Sequence, residues 1–231
     1  MSDEKPDDDR AFLMRRMWQH WRDTLLDLIF PPLCLHCGRV DAMFCPRCYD
    51  QLAQHPLRST HTRQDGLTIY ATGTHAGILQ SAVQALKYHG VRAIAPYLAQ
   101  RMTLMITQQN LTFDTIIPVP LHTHRLRQRG YNQAKDLADA LGEQTGHPVQ
   151  PQAIRRIRDT RSQVGLDYPQ RQANMQDAFL ASAAEEVRGQ KILLIDDVQT
   201  TGATLAACAD AIHRQGADAV YGLTVTTAQL N

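Results

Sequence analysis

Residues 191–205, KILLIDDVQTTGATL, leave the chain few choices. Ile192, Leu193, Leu194 and Ile195 read as an apolar strand with two carboxylates, Asp196 and Asp197, at its carboxyl end. Thr200, Thr201, Gly202, Ala203 and Thr204 follow at once as a small-residue turn into a helix. A helix N-terminus presents N–H groups that lack intrahelical acceptors, together with the positive end of the macrodipole. Threonine hydroxyls add donors and Gly202 lets the backbone approach, so the turn is an anion cradle suited to a phosphate. The paired acids would repel that phosphate unless they met something else, and sugar hydroxyls or Mg²⁺ are the chemical fits. The plainer alternative is an acidic strand end before a capped helix. A Walker loop is excluded, because no G-x-x-x-x-G-K-[ST] occurs.

The rest of the chain sets this unit in an α/β frame. Its 231 residues, 43% hydrophobic and 20% charged, suffice for one full core and a small satellite module. Strands are expected at 67–72 (LTIYAT), 114–120 (DTIIPVP), 149–154 (VQPQAI), 191–196 and 219–228. Helical periods separate them at 78–90, closed by Gly90, at 93–109 with Pro96 in the first turn, at 131–146 and at 204–216. Strands alternating with helices of this length imply parallel βαβ units and a three-layer α/β domain with a mostly parallel sheet, over 66–231. Residues 1–10 carry five acids against two bases and are expected to stay solvated. Residues 11–30 space Met14, Met17, Trp18, Trp21, Leu25, Leu28 and Ile29 as an amphipathic helix, expected to dock on the adjacent module. No run approaches the roughly 18 apolar residues of a membrane span, and the acidic N-terminus is unlike a secretory signal, which points to the cytoplasm.

Residues 31–62 contain Cys34, Cys37, Cys45 and Cys48 in the pattern C-x-x-C-x7-C-x-x-C. Two such thiolate pairs can close a tetrahedron around one structural zinc, and the short gap calls for a tight double knuckle with Gly38 and Pro46 at the reversals. Disulfides are the alternative, disfavoured by a reducing compartment. His36 reads as a surface residue of the knuckle, and Cys208 as a buried inert thiol on the apolar face of a helix.

A second segment, IIPVPLHTHRLRQRGYNQAKDLA, places Arg125, Arg127, Arg129, Gly130 and Tyr131 beyond the end of another strand, where open α/β sheets bind ligands. Arg125, Arg127, Arg129, Arg155, Arg156, Arg158, Arg161, Arg171 and Lys135 outnumber the acids of residues 118–171 by four. That excess suits a pyrophosphate and equally a nucleic-acid backbone. Arginine, with twenty copies against four lysines, offers the planar fork that phosphate oxygens favour.

I-D-D-V-x-T-T-G-A-T resembles the PRPP-binding signature of type I phosphoribosyltransferases. Joined to the four cysteines, to LKYHG at 86–90 and to RDTRSQVGLDYPQRQANMQDAF at 158–179, it is similar to the ComF/GntX family of phosphoribosyltransferase-like proteins linked to competence and DNA utilization. The resemblance runs from Pro31 to the C-terminus. It implies a type I phosphoribosyltransferase-like domain preceded by the zinc module, with PRPP and Mg²⁺ as ligands. Asp196 and Asp197 would then meet the ribose or Mg²⁺ as the catalytic acids, and Thr200, Thr201, Gly202, Ala203 and Thr204 the 5′-phosphate. Residues 121–131, with Arg125, Arg129 and Gly130, would take the place of the pyrophosphate loop, and 155–171 that of a closing loop. Thr200 stands where 6-oxopurine enzymes carry an aspartate that handles the purine proton, so the acceptor is undefined and turnover is left open. Lys87 and Tyr88 match a family motif with no role that the residues themselves supply. Two other readings compete: a module that binds single-stranded DNA, with PRPP as a regulatory ligand and no turnover, and a scaffold that recruits a helicase of DNA uptake.

Overall fold

The computed structural model describes residues 31–40, 42–57, 60–62, 66–157, 178–181 and 187–228. The acidic tail and the amphipathic segment of residues 1–30, Arg158, Arg161 and Arg171 lie outside them.

The central sheet grows from apolar segments that match the expected strands. It consists of β1 (Thr60–Thr62), β2 (Thr68–Ala71), β3 (Thr115–Pro118), β6 (Lys191–Gln199) and β7 (Ala219–Thr227), in the order β1-β2-β7-β6-β3. Only β1 runs antiparallel. β6 lies along β7 from Lys191 opposite Ala219 to Gln199 opposite Thr227, and β3 joins its other edge with Thr115 opposite Ile192. Each parallel step needs a crossover. Helices α2 (Gly77–Tyr88) and α3 (Ala95–Gln108) join β2 to β3, and α6 (Ala203–His213) joins β6 to β7. Between β3 and β6 run α4 (Thr123–Arg129), α5 (Gln133–Thr145) and a small hairpin of β4 (Ile154–Arg156) and β5 (Phe179–Ala181).

Alternation along β6 divides the core into two layers. Leu193 and Ile195 pack with α2, α3 and α5, whereas Ile192 and Leu194 pack with α6 and the β4–β5 hairpin. The three-layer α/β architecture with a mostly parallel sheet is therefore as expected.

Several details differ from the sequence expectations. The strand expected at 149–154 reduces to one bridge of Val149 to Ile116, a turn, and β4, which pairs with β5 away from the main sheet. Pro151 donates no ladder hydrogen bond, which accounts for the interruption. β6 also continues past the acids to Gln199, because β7 supplies a partner for that whole length. Residues 121–131 contain the short helix α4 where a loop was expected.

The four-cysteine segment is welded onto this frame. Its first knuckle turns through Gly38, whose N–H donates to the Cys34 carbonyl (2.8 Å). Its second half is no reversal at Pro46: that residue opens helix α1 (Pro46–Gln54), where a missing N–H costs nothing. Phe44, Cys48 and Leu52 share one apolar cluster with Leu79, Leu86, Leu98 and Met102. Tyr49 stacks on Tyr97 of α3 (centroids 4.1 Å apart). Arg101 of α3, 1% exposed, donates to the carbonyls of Leu52 (2.8 Å), His55 (2.6 Å), Pro56 (3.4 Å) and Thr72 (3.0 Å). Burial lowers its pKa to about 10.

Candidate functional site

At the end of β6 the chain does what its small residues allow. Gly202 takes a left-handed conformation (φ 72°, ψ 5°) that a Cβ would strain, and α6 starts at the next residue. Thr201 is buried and its Oγ1 accepts from the Ala203 N–H (3.3 Å), while Thr200 is exposed. Behind the turn, Gln199 is buried and its Oε1 has no hydrogen-bond partner. The turn therefore offers helix N–H groups, threonine hydroxyls and one unclaimed buried acceptor.

The two acids occupy different environments. Asp197 is 3% exposed and packs against Lys87 of α2, whose Nζ lies 3.1 Å from Oδ1 and 3.0 Å from Oδ2. Asp196 is half-buried, and its Oδ1 accepts from the backbone N–H of Asp197 (2.9 Å). Burial, then the Asp197 charge, pushes the Asp196 carboxyl up to about 7 against the opposing pull of Lys87 and Arg156. Burial alone would lower the Lys87 ammonium, but the Asp197 and Asp196 charges outweigh it and hold its pKa above the ordinary lysine value. His75 completes the group: its Nδ1 lies 2.9 Å from Thr226 Oγ1, and burial and the Lys87 charge lower its pKa. Lys87 thus has a partner that its sequence context did not reveal, 110 residues away in the chain. His75 has no local signal at all.

The arginine segment meets this group through the end of α2. Gly130 (φ 81°) ends α4, and Asn132 caps α5 with its side chain while donating to the Val119 carbonyl (3.0 Å). The Tyr131 hydroxyl donates to the Leu86 carbonyl, and the Arg129 guanidinium lies 5.7 Å over the Tyr88 ring. Tyr88 and Leu86 flank Lys87, so the two segments converge on one turn of α2. Arg125 is half-buried and Arg127 exposed on α4. Arg92 binds Asp136 through two hydrogen bonds (2.8 and 2.6 Å) and lies over Tyr131. On the far side of Asp196, Arg156 of β4 covers the Phe179 ring, and Arg155 is exposed. Lys135 pairs with Asp139 one turn along α5, away from this convergence.

The cysteines form a second centre. All four sulfurs lie within 4.8 Å of one another, with Cys34 to Cys48 at 3.6 Å and Cys37 to Cys45 at 3.7 Å. A tetrahedral zinc with Zn–S bonds of 2.3 Å has sulfur–sulfur edges of about 3.8 Å, so the cluster fits that ion. All four are free thiols. Burial opposes a Cys34 thiolate, but the backbone N–H groups of Cys37, Cys45 and His36 hold its pKa at about 6. His36 is no mere surface residue: its Nδ1 lies 3.0 Å from Ser81 Oγ of α2. Cys208 is buried as expected, with burial raising its thiol pKa well above the usual value.

Comparison with known proteins gives the family. Residues 106–228 match the family described as phosphoribosyl transferase domain. The chain is 30% identical over 200 residues to competence protein F of Haemophilus influenzae, covering 83% of this chain and 84% of that one. It is 28% identical to DNA utilization protein YhgH of Escherichia coli K12, covering 81% and 86% respectively. Among solved structures, an adenine phosphoribosyltransferase aligns over 78% of this chain and 90% of its own, at 14% identity and a TM-score of 0.41.

Proposed function

Since the chain belongs to the ComF family of competence and DNA utilization proteins that carry a phosphoribosyl transferase domain, we propose that it binds PRPP with Mg²⁺ and serves the uptake or utilization of DNA. The observation that carries this reading is the joining of an acid-bearing strand end to a left-handed glycine and a helix N-terminus at residues 196–204. In this reading Thr200, Thr201, Gly202, Ala203 and Thr204 hold the 5′-phosphate and the acids serve the ribose side. The free acceptor on Gln199 gives a ligand hydroxyl a buried partner. Arg125, Arg129 and Gly130 stand on the pyrophosphate side, next to the turn that carries Lys87. Mg²⁺, arriving with the ligand, would neutralise phosphate charge and suits carboxylate oxygen. If the protein turns over, the chain's own contribution is to orient the phosphates and exclude water.

The four cysteines hold a structural zinc in this proposal, and thiolate ligation of that kind suits the reducing cytoplasm. Metal analysis of the purified protein should find about one equivalent per chain; none, with all thiols titrating freely, would remove the zinc.

Calorimetric titration of Mg²⁺-PRPP, with ribose 5-phosphate as control, should show binding that the Asp196→Asn, Asp197→Asn double variant loses. No binding by wild type would overturn the reading.

One observation favours a second function. Tyr88, 68% exposed, and Tyr131 each carry an arginine over the ring, and stacked aromatics beside arginine suit single-stranded DNA. Filter binding should then show retention that falls steeply with salt, and no retention at low salt would exclude it. A scaffold that recruits a helicase of DNA uptake is a separate reading, tested by pull-down with the uptake machinery.

A further inference from the structure

The four-cysteine module keeps one set of apolar side chains in water. The Cys34 N–H donates to the Arg39 carbonyl and the Gly38 N–H to the Cys34 carbonyl, both at 2.8 Å, and this turn sets Leu33 opposite Val40 as an antiparallel bridge. Residues directly opposite in such a pair project their side chains to the same side. Leu33 is 55% exposed and Val40 57%. Met43, 39% exposed, returns close by, because its carbonyl accepts from the Leu35 N–H (3.0 Å). Phe44, Cys48 and Leu52 of the same module are buried in the cluster that holds α2 and α3, whereas Leu33, Val40 and Met43 take no part in it.

The chain that leads into the module carries a matching surface in its sequence. Met14, Trp18, Trp21, Leu25 and Leu28 follow one another at steps of four, three, four and three, the stripe of one helix side. Arg16, Gln19, His20, Asp23 and Asp27 fall on the opposite side of that period. Two acids against one arginine do not suit an anionic membrane, whose surface helices carry Lys and Arg on the polar side. Pro31 and Pro32 stop the helical period, and Leu28 stands five positions before Leu33, a span of at most about 18 Å. The end of the stripe therefore has the knuckle within reach as soon as the chain leaves it.

We infer that the segment ending at Phe30 packs its stripe on the knuckle, with Trp21, Leu25 and Leu28 over Leu33, Val40 and Met43. The module then buries apolar side chains on two sides, one against α2 and α3 and the other against the segment that precedes it. Each surface removes from water what the other leaves exposed. This docking is independent of the phosphoribosyl reading.

Both tryptophans of the chain, Trp18 and Trp21, lie on the stripe, so intrinsic tryptophan fluorescence reads this segment alone. In full-length protein carrying Trp18→Phe, the Trp21 emission should be blue-shifted and shielded from acrylamide. Leu33→Asp with Val40→Asp should shift it to the red and open it to the quencher. Leu104→Asp makes the same apolar-to-acid change at an exposed position of α3 and should leave the emission unmoved. Leu25→Asp with Leu28→Asp leaves the knuckle's own residues intact, and amide exchange at residues 33–43 should nevertheless rise. Solvent-exposed Trp21 emission in the Trp18→Phe parent, or emission unmoved by the knuckle pair, would overturn the docking. A red shift from Leu104→Asp and not from the knuckle pair would place the segment on α3 instead. A blue shift lost on dilution would assign the stripe to a second copy of the chain, and one that arises only with anionic vesicles would assign it to a membrane; either result would also overturn it.

Discussion

Asp196 is a carboxyl whose folded state prefers the proton, which gives it a stability signature of its own. Its pKa rises from the model-peptide range near 4 to about 7, so between those values the folded chain binds more protons than the unfolded one. The Asp196 contribution to stability is therefore full below about pH 4 and is lost as pH rises through about 7. Asp196→Asn should flatten the pH dependence of unfolding across that window and stand more stable than wild type at pH 8, as denaturant titrations at several pH values would show. A variant less stable than wild type at pH 8 would contradict the burial assigned to this carboxyl. Arg101 makes the opposite kind of prediction. It is buried with four carbonyl acceptors, so Arg101→Met should cost about 3 kcal/mol or more by urea unfolding. Arg101→Lys should rescue little, because an ammonium lacks the planar fork that reaches both His55 and Thr72. Equal stability of the lysine variant would show that charge alone is required.

The element that matters most is the turn from β6 into α6. Gly202→Ala places a Cβ at φ 72°, at a cost of about 1–2 kcal/mol, and crowds the approach to the helix N-terminus. Thermal unfolding should register the first effect, and a larger loss in phosphoribosyl ligand affinity the second. An alanine variant with unchanged affinity would separate the turn from the ligand. This element was legible in the chain, since an apolar run, two acids and T-T-G-A-T leave a strand, a tight turn and a helix as the arrangement that satisfies every residue. The segment at 149–154 was not, because a stretch with a proline at its centre can alternate like a strand and still keep only one bridge to the main sheet, Val149 to Ile116. Helix α4 escaped for a related reason: at seven residues it has no buried side chain, so no apolar period announces it.

Across the whole molecule, the four-cysteine segment and the sheet share one apolar cluster, one buried arginine and the His36–Ser81 contact. Unfolding should therefore follow one cooperative calorimetric transition with metal present, and chelation should lower its midpoint and expose amides in α2 as well as at 31–57. Two separate transitions would show that the modules fold independently. By itself the sequence settled what depends on short range. The strand-turn-helix unit, the thiol pairs and the alternation of strands with helices are each written in neighbouring residues, where backbone geometry and side-chain chemistry act within a few positions. Only the tertiary structure decided which distant groups meet. Lys87 on Asp197, Arg101 under four carbonyls and Tyr131 on the turn of α2 join residues 29 to 110 positions apart. Such pairings follow from how helices seat on the sheet, because burial sums over many contacts and leaves no local period to read.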